Sequence, residues 1–162
     1  MRKFVGVILV IALFAEVSFA GLAKDKTMYI GGTITTIKEG TEGQSSAKDE
    51  KVFVFSAGAS KIEIPYDQVD GLEYGQKAGR RVGATMALGI TTLGIGALPV
   101  LFSKKRKHFL TITWKDAEGK GQAAVFELGK DVIRTTIATL EARTGKKVEY
   151  QDEEAKKSGR GN

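Results

Sequence analysis

The chain contains no cysteine and only one histidine, His108. The lack of cysteine excludes disulfide bonds, thiolate nucleophiles and cysteine-ligated metals. With a single histidine as well, the common nucleophile-plus-base arrangements of enzymes have few residues to draw on. We therefore expect a protein that is not an enzyme and that carries no cofactor.

The few motifs with chemical meaning have simpler structural interpretations. Lys104–Lys107 precede His108, and their charge disfavours both its protonation and a bound metal. Asp67 and Asp70 are typical of turns, where the side chain hydrogen-bonds the backbone. Gly119–Ala124 fits a loose G-x-G-x-x-A pattern, but it opens a strand, whereas a dinucleotide site needs a helix there. The sequence thus indicates no metal and no small-molecule substrate.

The first twenty residues have the pattern of a secretory signal peptide. Arg2 and Lys3 give a basic start, and residues 4–14 form an eleven-residue apolar run. Ser18–Ala20 then place small residues at the positions that a signal peptidase reads. The run is short for a permanent anchor, which needs about 20 residues, although an uncleaved anchor is the alternative. We expect a mature chain that begins at Gly21 and is exported to the periplasm or cell envelope.

Positive charge is concentrated in the middle of the chain. The chain carries 25 basic and 19 acidic residues, a formal net charge of +6. Between Gly75 and Lys115 there are eight basic residues and no Asp or Glu, and they flank an uncharged stretch of 21 residues, Val82–Phe102. A basic flank on an apolar segment is typical of contact with anionic lipid head groups. Nucleic-acid-binding surfaces usually interleave aromatic and basic residues, so no nucleic-acid partner is expected.

The remaining pattern predicts several antiparallel strands and one helix. Strands are predicted at Thr27–Ile37 with a bend at Gly31–Gly32, and at Val52–Phe55, Lys61–Ile64, Leu72–Gly75, His108–Trp114, Gln122–Leu128 and Val148–Tyr150. Ile133, Ile137 and Leu140 fall at helical spacing, and Gly145 ends that helix. Lys38–Lys51 is predicted as a polar loop.

These elements predict a mostly β (α+β) fold. The strands need their inner face covered and the helix needs an apolar partner, so we expect a bent antiparallel sheet or partly open barrel capped by one C-terminal α-helix. A single domain would span residues 21–150, with the apolar segment 82–102 as an insertion. The charged stretch from Gln151 to Asn162 is expected to be a disordered tail.

Two stretches give the chain a resemblance to a known superfold. "KIEIPYDQVDGLEYG" (Lys61–Gly75) followed by "HFLTITWKDAEGKGQAAVFELGKDVIRTTIATLEARTG" (His108–Gly145) resembles bacterial pleckstrin-homology-like domains, including the GRAM-type group. In that group an "IPY..I..L" stretch forms a middle strand, and a late hairpin leads into a C-terminal helix that plugs the barrel. The resemblance covers most of Met28–Gly145. It implies a binding or scaffolding module.

The chain departs from that superfold in two respects. Lipid-binding members often hold phosphoinositides with basic residues in the first loop, but Lys38–Lys51 has three lysines against four acidic residues. We therefore do not expect that site here. The apolar insertion is also foreign to the standard barrel.

The apolar segment itself admits three interpretations. A single crossing would separate the early strands from the late hairpin and leave neither half with a complete core. A hairpin with arms of about ten residues would enter one leaflet of a membrane. Burial against the barrel or in an oligomer is the third, since the segment is rich in small residues.

We expect this region to be the functional site. The residues predicted to hold lipid phosphates are Lys77, Arg80, Arg81, Lys104, Lys105, Arg106 and Lys107. The residues predicted to insert into the membrane are Val82, Met86, Leu88, Ile90, Leu93, Ile95, Leu98, Val100, Leu101 and Phe102. The expected partner is an anionic lipid surface. The alternatives are a protein partner or a second copy bound by the same segment, or a single-pass protein crossing at 82–102.

Overall fold

The computed structural model describes residues 26–76 and 107–160. They form one eight-stranded sheet with the strand order β4-β3-β2-β1-β7-β6-β5-β8. The strands are β1 Thr27–Gly32, β2 Thr41–Ser46, β3 Val52–Ala57, β4 Ser60–Pro65, β5 Val69–Gly75, β6 His108–Lys115, β7 Gly121–Leu128 and β8 Val148–Tyr150. Two helices follow β7, α1 at Ile133–Thr144 and α2 at Glu153–Arg160. The predicted mostly β fold with a C-terminal helix is confirmed.

The sheet is strongly bent, as the glycines of β1 predict. The register between β1 and β7 shifts between Tyr29 and Gly31, and a Cβ at Gly32 would collide with the backbone carbonyl of Ala123. β3 and β7 are separated by two strands, so in a flat sheet they would lie about 14 Å apart. The Phe55 and Phe126 rings are nevertheless only 5.3 Å apart. The sheet therefore curls until its two halves share one aromatic core.

Both helices pack on the concave face, which we call the inner face. α1 contributes Ile133, Ile137 and Leu140 to the main apolar cluster, and α2 contributes Ala155. Gly145 ends α1 in the left-handed conformation, with φ 68°, as its position in the sequence predicted. The helices thus supply the cover that the inner faces of the strands require.

The structure departs from the sequence prediction within Lys38–Lys51. This stretch was expected to be a loop, but it contains β2. The sequence of β2 is polar. It forms a strand because its backbone pairs with β1 on one side and β3 on the other. The sheet is also not wholly antiparallel, because β8 pairs parallel to β5, with Leu72 opposite Val148.

The expected disordered tail contains α2. Asp152 begins this helix, since its side chain accepts a hydrogen bond from the Ala155 backbone N–H at 2.7 Å. Glu153 and Glu154 occupy the first turn, where the helix dipole favours anions. Composition alone did not reveal the helix because few of its side chains are buried.

Apolar side chains are also buried on the convex face of the sheet, which we call the outer face. Ile30, Phe109, Ala123 and Val125 form this second cluster, with Met28 packed against it, and each of the four is at most 6% exposed. These residues come from β1, β6 and β7. The sheet is therefore apolar on both sides at its centre.

Candidate functional site

The chain of the apolar segment leaves and rejoins the sheet at one place. β5 ends at Gly75 and β6 begins at His108, and the two strands pair antiparallel with Gly75 opposite Phe109. Paired Cα atoms in such a ladder lie about 4.5–5.5 Å apart. The 30 residues from 77 to 106 therefore start and finish at neighbouring points. We call this place, formed by Tyr74, Gly75, Gln76, Lys107 and His108, the root.

Lys107 is the one predicted lipid-binding residue that lies within the described part of the chain. Its Nζ is 2.9 Å from Oε2 of Glu127, and the two side chains are only 23% and 4% exposed. Glu127 stands opposite Phe109 on the neighbouring strand, so the ion pair lies beside the outer apolar cluster. This ammonium therefore already has an anionic partner inside the protein.

The other predicted site residues lie outside the described residues. This applies to the remaining lipid-phosphate positions, namely Lys77, Arg80, Arg81, Lys104, Lys105 and Arg106. It applies equally to the whole set predicted to insert into a membrane, from Val82 to Phe102. The structure describes the end of β5 and the start of β6, between which that segment is inserted.

A polar cluster on the inner face ties the root to α2. Tyr74 Oη lies 2.6 Å from His108 Nδ1 and 3.3 Å from Ser158 Oγ. The Tyr74 and His108 rings are stacked, with centroids 6.0 Å apart. The cluster therefore joins both sides of the root to the last helix.

The members of this cluster are held neutral. Burial raises the pKa of Tyr74, although its hydrogen bonds to Ser158 and Gln76 oppose this. Burial also lowers the pKa of His108, and the charges of Lys130 and Arg134 lower it further. The sequence predicted this direction for His108 from the neighbouring lysines, but its first cause is desolvation. A neutral tyrosine thus contacts a neutral histidine through a hydrogen bond and ring stacking.

Gln151, which precedes α2, and α2 itself pack closely against the root. The side chain of Gln151 lies over Gly75, where a Cβ would have no room, and the Gln151 backbone N–H donates to the carbonyl of Tyr74 at 3.0 Å. Gly159 is similarly tight, since a Cβ there would lie 2.7 Å from Cε1 of Tyr150. Arg134 of α1 donates to the Ser158 carbonyl at 3.2 Å. The root is therefore a packed part of the domain.

A groove of about 740 Å³ lies along α1 and α2 and is lined in part by charged residues. Arg160 leans on the ring of Tyr150 at 5.4 Å and lies 3.9 Å from the carboxylate of Glu141. Glu141 also accepts a hydrogen bond from the Val148 backbone. Because these charged groups already contact partners within the protein, the groove is a weaker candidate binding site than the root.

Two further properties bear on the chemistry available. Across residues 26–76 and 107–160, no helix is both long enough and apolar enough to cross a membrane. In the same two ranges, no three His, Asp or Glu side chains are grouped so as to hold a metal ion.

Comparison with known proteins adds no family: no protein-family model matches the chain, and no curated protein sequence matches it. Sequence reasoning missed Tyr74, Glu127 and Ser158 as parts of this region. Their partners lie 34, 20 and 84 residues away along the chain, so no local pattern could have identified them.

Proposed function

We propose that the protein is an exported, non-catalytic binding module that associates with an anionic membrane surface through Val82–Phe102. The observation that carries the proposal is the root: both ends of an apolar, basically flanked segment meet at one point of one sheet. This arrangement favours a segment that enters a membrane from one side and returns to the same side.

The lengths involved argue against a single crossing. As a helix, the 21 residues of Val82–Phe102 would extend about 31 Å, close to the thickness of a bilayer core. One end would then lie across the membrane from the root. Residues 103–106 would have to bring the chain back through the hydrocarbon as exposed backbone, which lipid does not tolerate. A hairpin avoids this, since two arms of about ten residues reach about 15 Å, one leaflet deep.

The basic flanks fit the same arrangement. With the two ends together at the root, Arg80 and Arg81 would lie beside Lys104, Lys105 and Arg106 at the level of the head groups. Each basic residue near an anionic surface contributes about 1 kcal/mol. Lys107 is left out of this set because Glu127 already binds its ammonium.

The proposed module is pleckstrin-homology-like. Supporting features are the bent sheet in which β1 pairs with both β2 and β7, and the helix that follows the late β6–β7 hairpin and covers the inner face. The insertion replaces the first loop as the lipid-contacting element in this proposal, because the first loop contains the polar strand β2 and carries more acidic residues than lysines.

Vesicle flotation of the chain beginning at Gly21 tests the proposal. We expect binding to phosphatidylcholine vesicles that contain phosphatidylserine, and weak binding without it. Changing Lys104, Lys105 and Arg106 together to glutamine should remove about 3 kcal/mol and weaken binding roughly 100-fold. The matched control changes the exposed Lys120, Lys146 and Lys147 to glutamine and should bind almost as the unchanged protein does.

Equal losses in both triple variants would contradict the proposal, because general charge and not the flanks would then drive binding. Absence of vesicle binding, with a co-purifying protein or a stable oligomer instead, would favour the interaction-module alternative. Protease protection with tags after Gly21 and after Asn162 tests the crossing directly. Loss of both tags in cells with the outer barrier opened is expected, whereas loss of only the first would show that the segment spans the membrane.

A further inference from the structure

The outer apolar cluster is too well buried for an open sheet face. Ile30 is 6% exposed, Phe109 4% and Val125 5%. On a sheet face that meets water, side chains contact only their neighbours in the sheet and remain partly solvated, which is why such faces are usually polar. Burial of this degree requires another layer over the face.

The described part of the chain does not supply that layer. Within it, the buried apolar residues of both helices belong to the inner cluster, and the outer cluster consists of strand residues. The side chain of Gln151 lies over Gly75 on β5. Val125 on β7 and Ile30 on β1 are two and three strands beyond β5, or about 10 and 14 Å at ordinary strand spacing.

We infer that the apolar segment Val82–Phe102 lies against the outer face of β1, β7 and β6 when the protein is in water. Its C-terminal flank enters the sheet on this face, since Lys107 pairs with Glu127 and Glu127 stands opposite Phe109. Residues 77–81 span up to about 17 Å when extended, enough to carry the segment from β5 to β1. Docking of an apolar segment on an apolar face removes both apolar surfaces from water.

The burial of Glu127, a charged residue on the same face, supports the inference further. Its carboxylate is on the outer face, yet the side chain is only 4% exposed. A carboxylate at a solvent-facing position of an uncovered sheet would stay hydrated, because removing it from water is costly. If a chain segment covers this carboxylate, it needs a partner in place of water, and the ammonium of Lys107 is that partner.

This inference does not depend on the proposed membrane association. It concerns the protein in water, and it holds equally if the segment binds a protein partner or nothing else. If the segment does enter membranes, docking on the sheet and insertion into lipid become competing states.

Disulfide trapping tests the inference, and the cysteine-free chain makes it unambiguous. Val125→Cys is combined in turn with Met86→Cys, Ile90→Cys, Leu93→Cys or Leu98→Cys in the full chain and in the chain beginning at Gly21. We expect an intramolecular disulfide in at least one pair under mild oxidation in water. Lys61→Cys on β4, exposed and at the far edge of the sheet, replaces Val125→Cys in the matched control and should give none.

Thiol labelling of a single Ile30→Cys variant supplies a second measurement if Val125→Cys fails to fold, since Ile30 is 6% exposed. We expect labelling about 100-fold slower than that of Lys120→Cys, which is exposed. Rapid labelling of Ile30→Cys, or no intramolecular disulfide in any pair, would overturn the inference. So would disulfides that form only between two copies, or protection that disappears in the chain beginning at Gly21, because the cover would then be a second copy or residues 1–20.

A vesicle arm keeps this test separate from that of the proposed function. Phosphatidylserine-containing vesicles should reduce the disulfide yield if the segment moves from sheet to membrane. A disulfide that forms in water while flotation fails would uphold the inference and refute membrane association. Flotation without any disulfide would do the reverse.

Discussion

Replacing Lys107 by methionine tests how far the buried carboxylate of Glu127 depends on this cation. Methionine keeps much of the apolar length of the lysine side chain but removes the ammonium that lies 2.9 Å from Glu127. The change leaves a carboxylate that is 4% exposed without this partner. An uncompensated buried charge is among the most destabilising changes a protein can suffer.

The size of the effect follows from the burial of the two groups. Breaking a buried ion pair costs about 3–5 kcal/mol, and the lower end applies here because Lys107 is 23% exposed and water can partly reach the pair. We therefore expect the free energy of unfolding to fall by about 3 kcal/mol. Replacing both members, as Lys107→Met with Glu127→Leu, should return stability to within about 1 kcal/mol of the unchanged protein, because no charge is then left buried.

Equilibrium urea unfolding measures this difference. Trp114 is the only tryptophan and is 5% exposed, so its fluorescence reports the folded core. With a slope of about 2 kcal/mol per molar urea, a loss of 3 kcal/mol lowers the midpoint by about 1.5 M. Lys61→Met is the matched control, since it removes an ion pair of similar length, 2.8 Å, between Lys61 and Glu63, whose side chains are 61% and 48% exposed, respectively. That variant should change stability by about 0.5 kcal/mol or less.

Two results would refute the reasoning. If Lys107→Met cost no more than Lys61→Met, the Glu127 carboxylate would be adequately solvated without its partner. If the double variant were as unstable as the single one, the loss would come from packing and not from an unpaired charge.

Two further predictions concern the cluster that joins the root to α2. Burial keeps the pKa of folded His108 below 6.5, so on acidification the unfolded chain binds a proton at His108 before the folded protein does. The stability present above pH 6.5 should therefore be lost as the pH falls toward the folded-state pKa. Comparing urea midpoints at about pH 7.5 and 5.5 checks this, and His108→Gln should show a smaller acid loss; an unchanged loss would assign the effect to other groups. Gly159→Ala should weaken the docking of α2 by about 1–3 kcal/mol, because the added Cβ would lie 2.7 Å from Tyr150. Hydrogen exchange at α2 amides should then accelerate relative to the exposed control Lys156→Ala, and equal protection in both variants would show that the helix can shift at no cost.

The sequence was informative where side chains follow a regular pattern. The alternation of Leu110, Ile112 and Trp114 predicted β6, and helical spacing followed by Gly145 predicted α1. The bend of β1 followed from Gly31 and Gly32, whose lack of a side chain lets β7 approach. In each case one face of the element is apolar, and the burial of that face is what selects the structure.

The sequence did not predict the features that depend on backbone pairing or on residues distant in the chain. β2 has no apolar side chain and exists because β1 and β3 both offer unsatisfied backbone groups. α2 depends on Gly159 fitting against Tyr150, a match between residues that carry no periodic signal. The ion pair of Lys107 with Glu127 likewise joins residues on separate strands. Such features arise from the folded topology, which local patterns do not encode.

The central position of β1 has a consequence for how the chain acquires its structure. β1 is the first strand to be synthesised, yet one of its edges is completed only by β7, where Thr27 pairs with Leu128, a separation of 128 − 27 = 101 residues. Until β7 emerges, that edge presents unpaired backbone groups, and the apolar stretch 82–102 has already been made. Folds dominated by such distant pairings form slowly and are open to aggregation in the interval. The native sheet therefore cannot be completed before β7 is available for pairing, and until then the open edge of β1 must be kept from pairing with other strands.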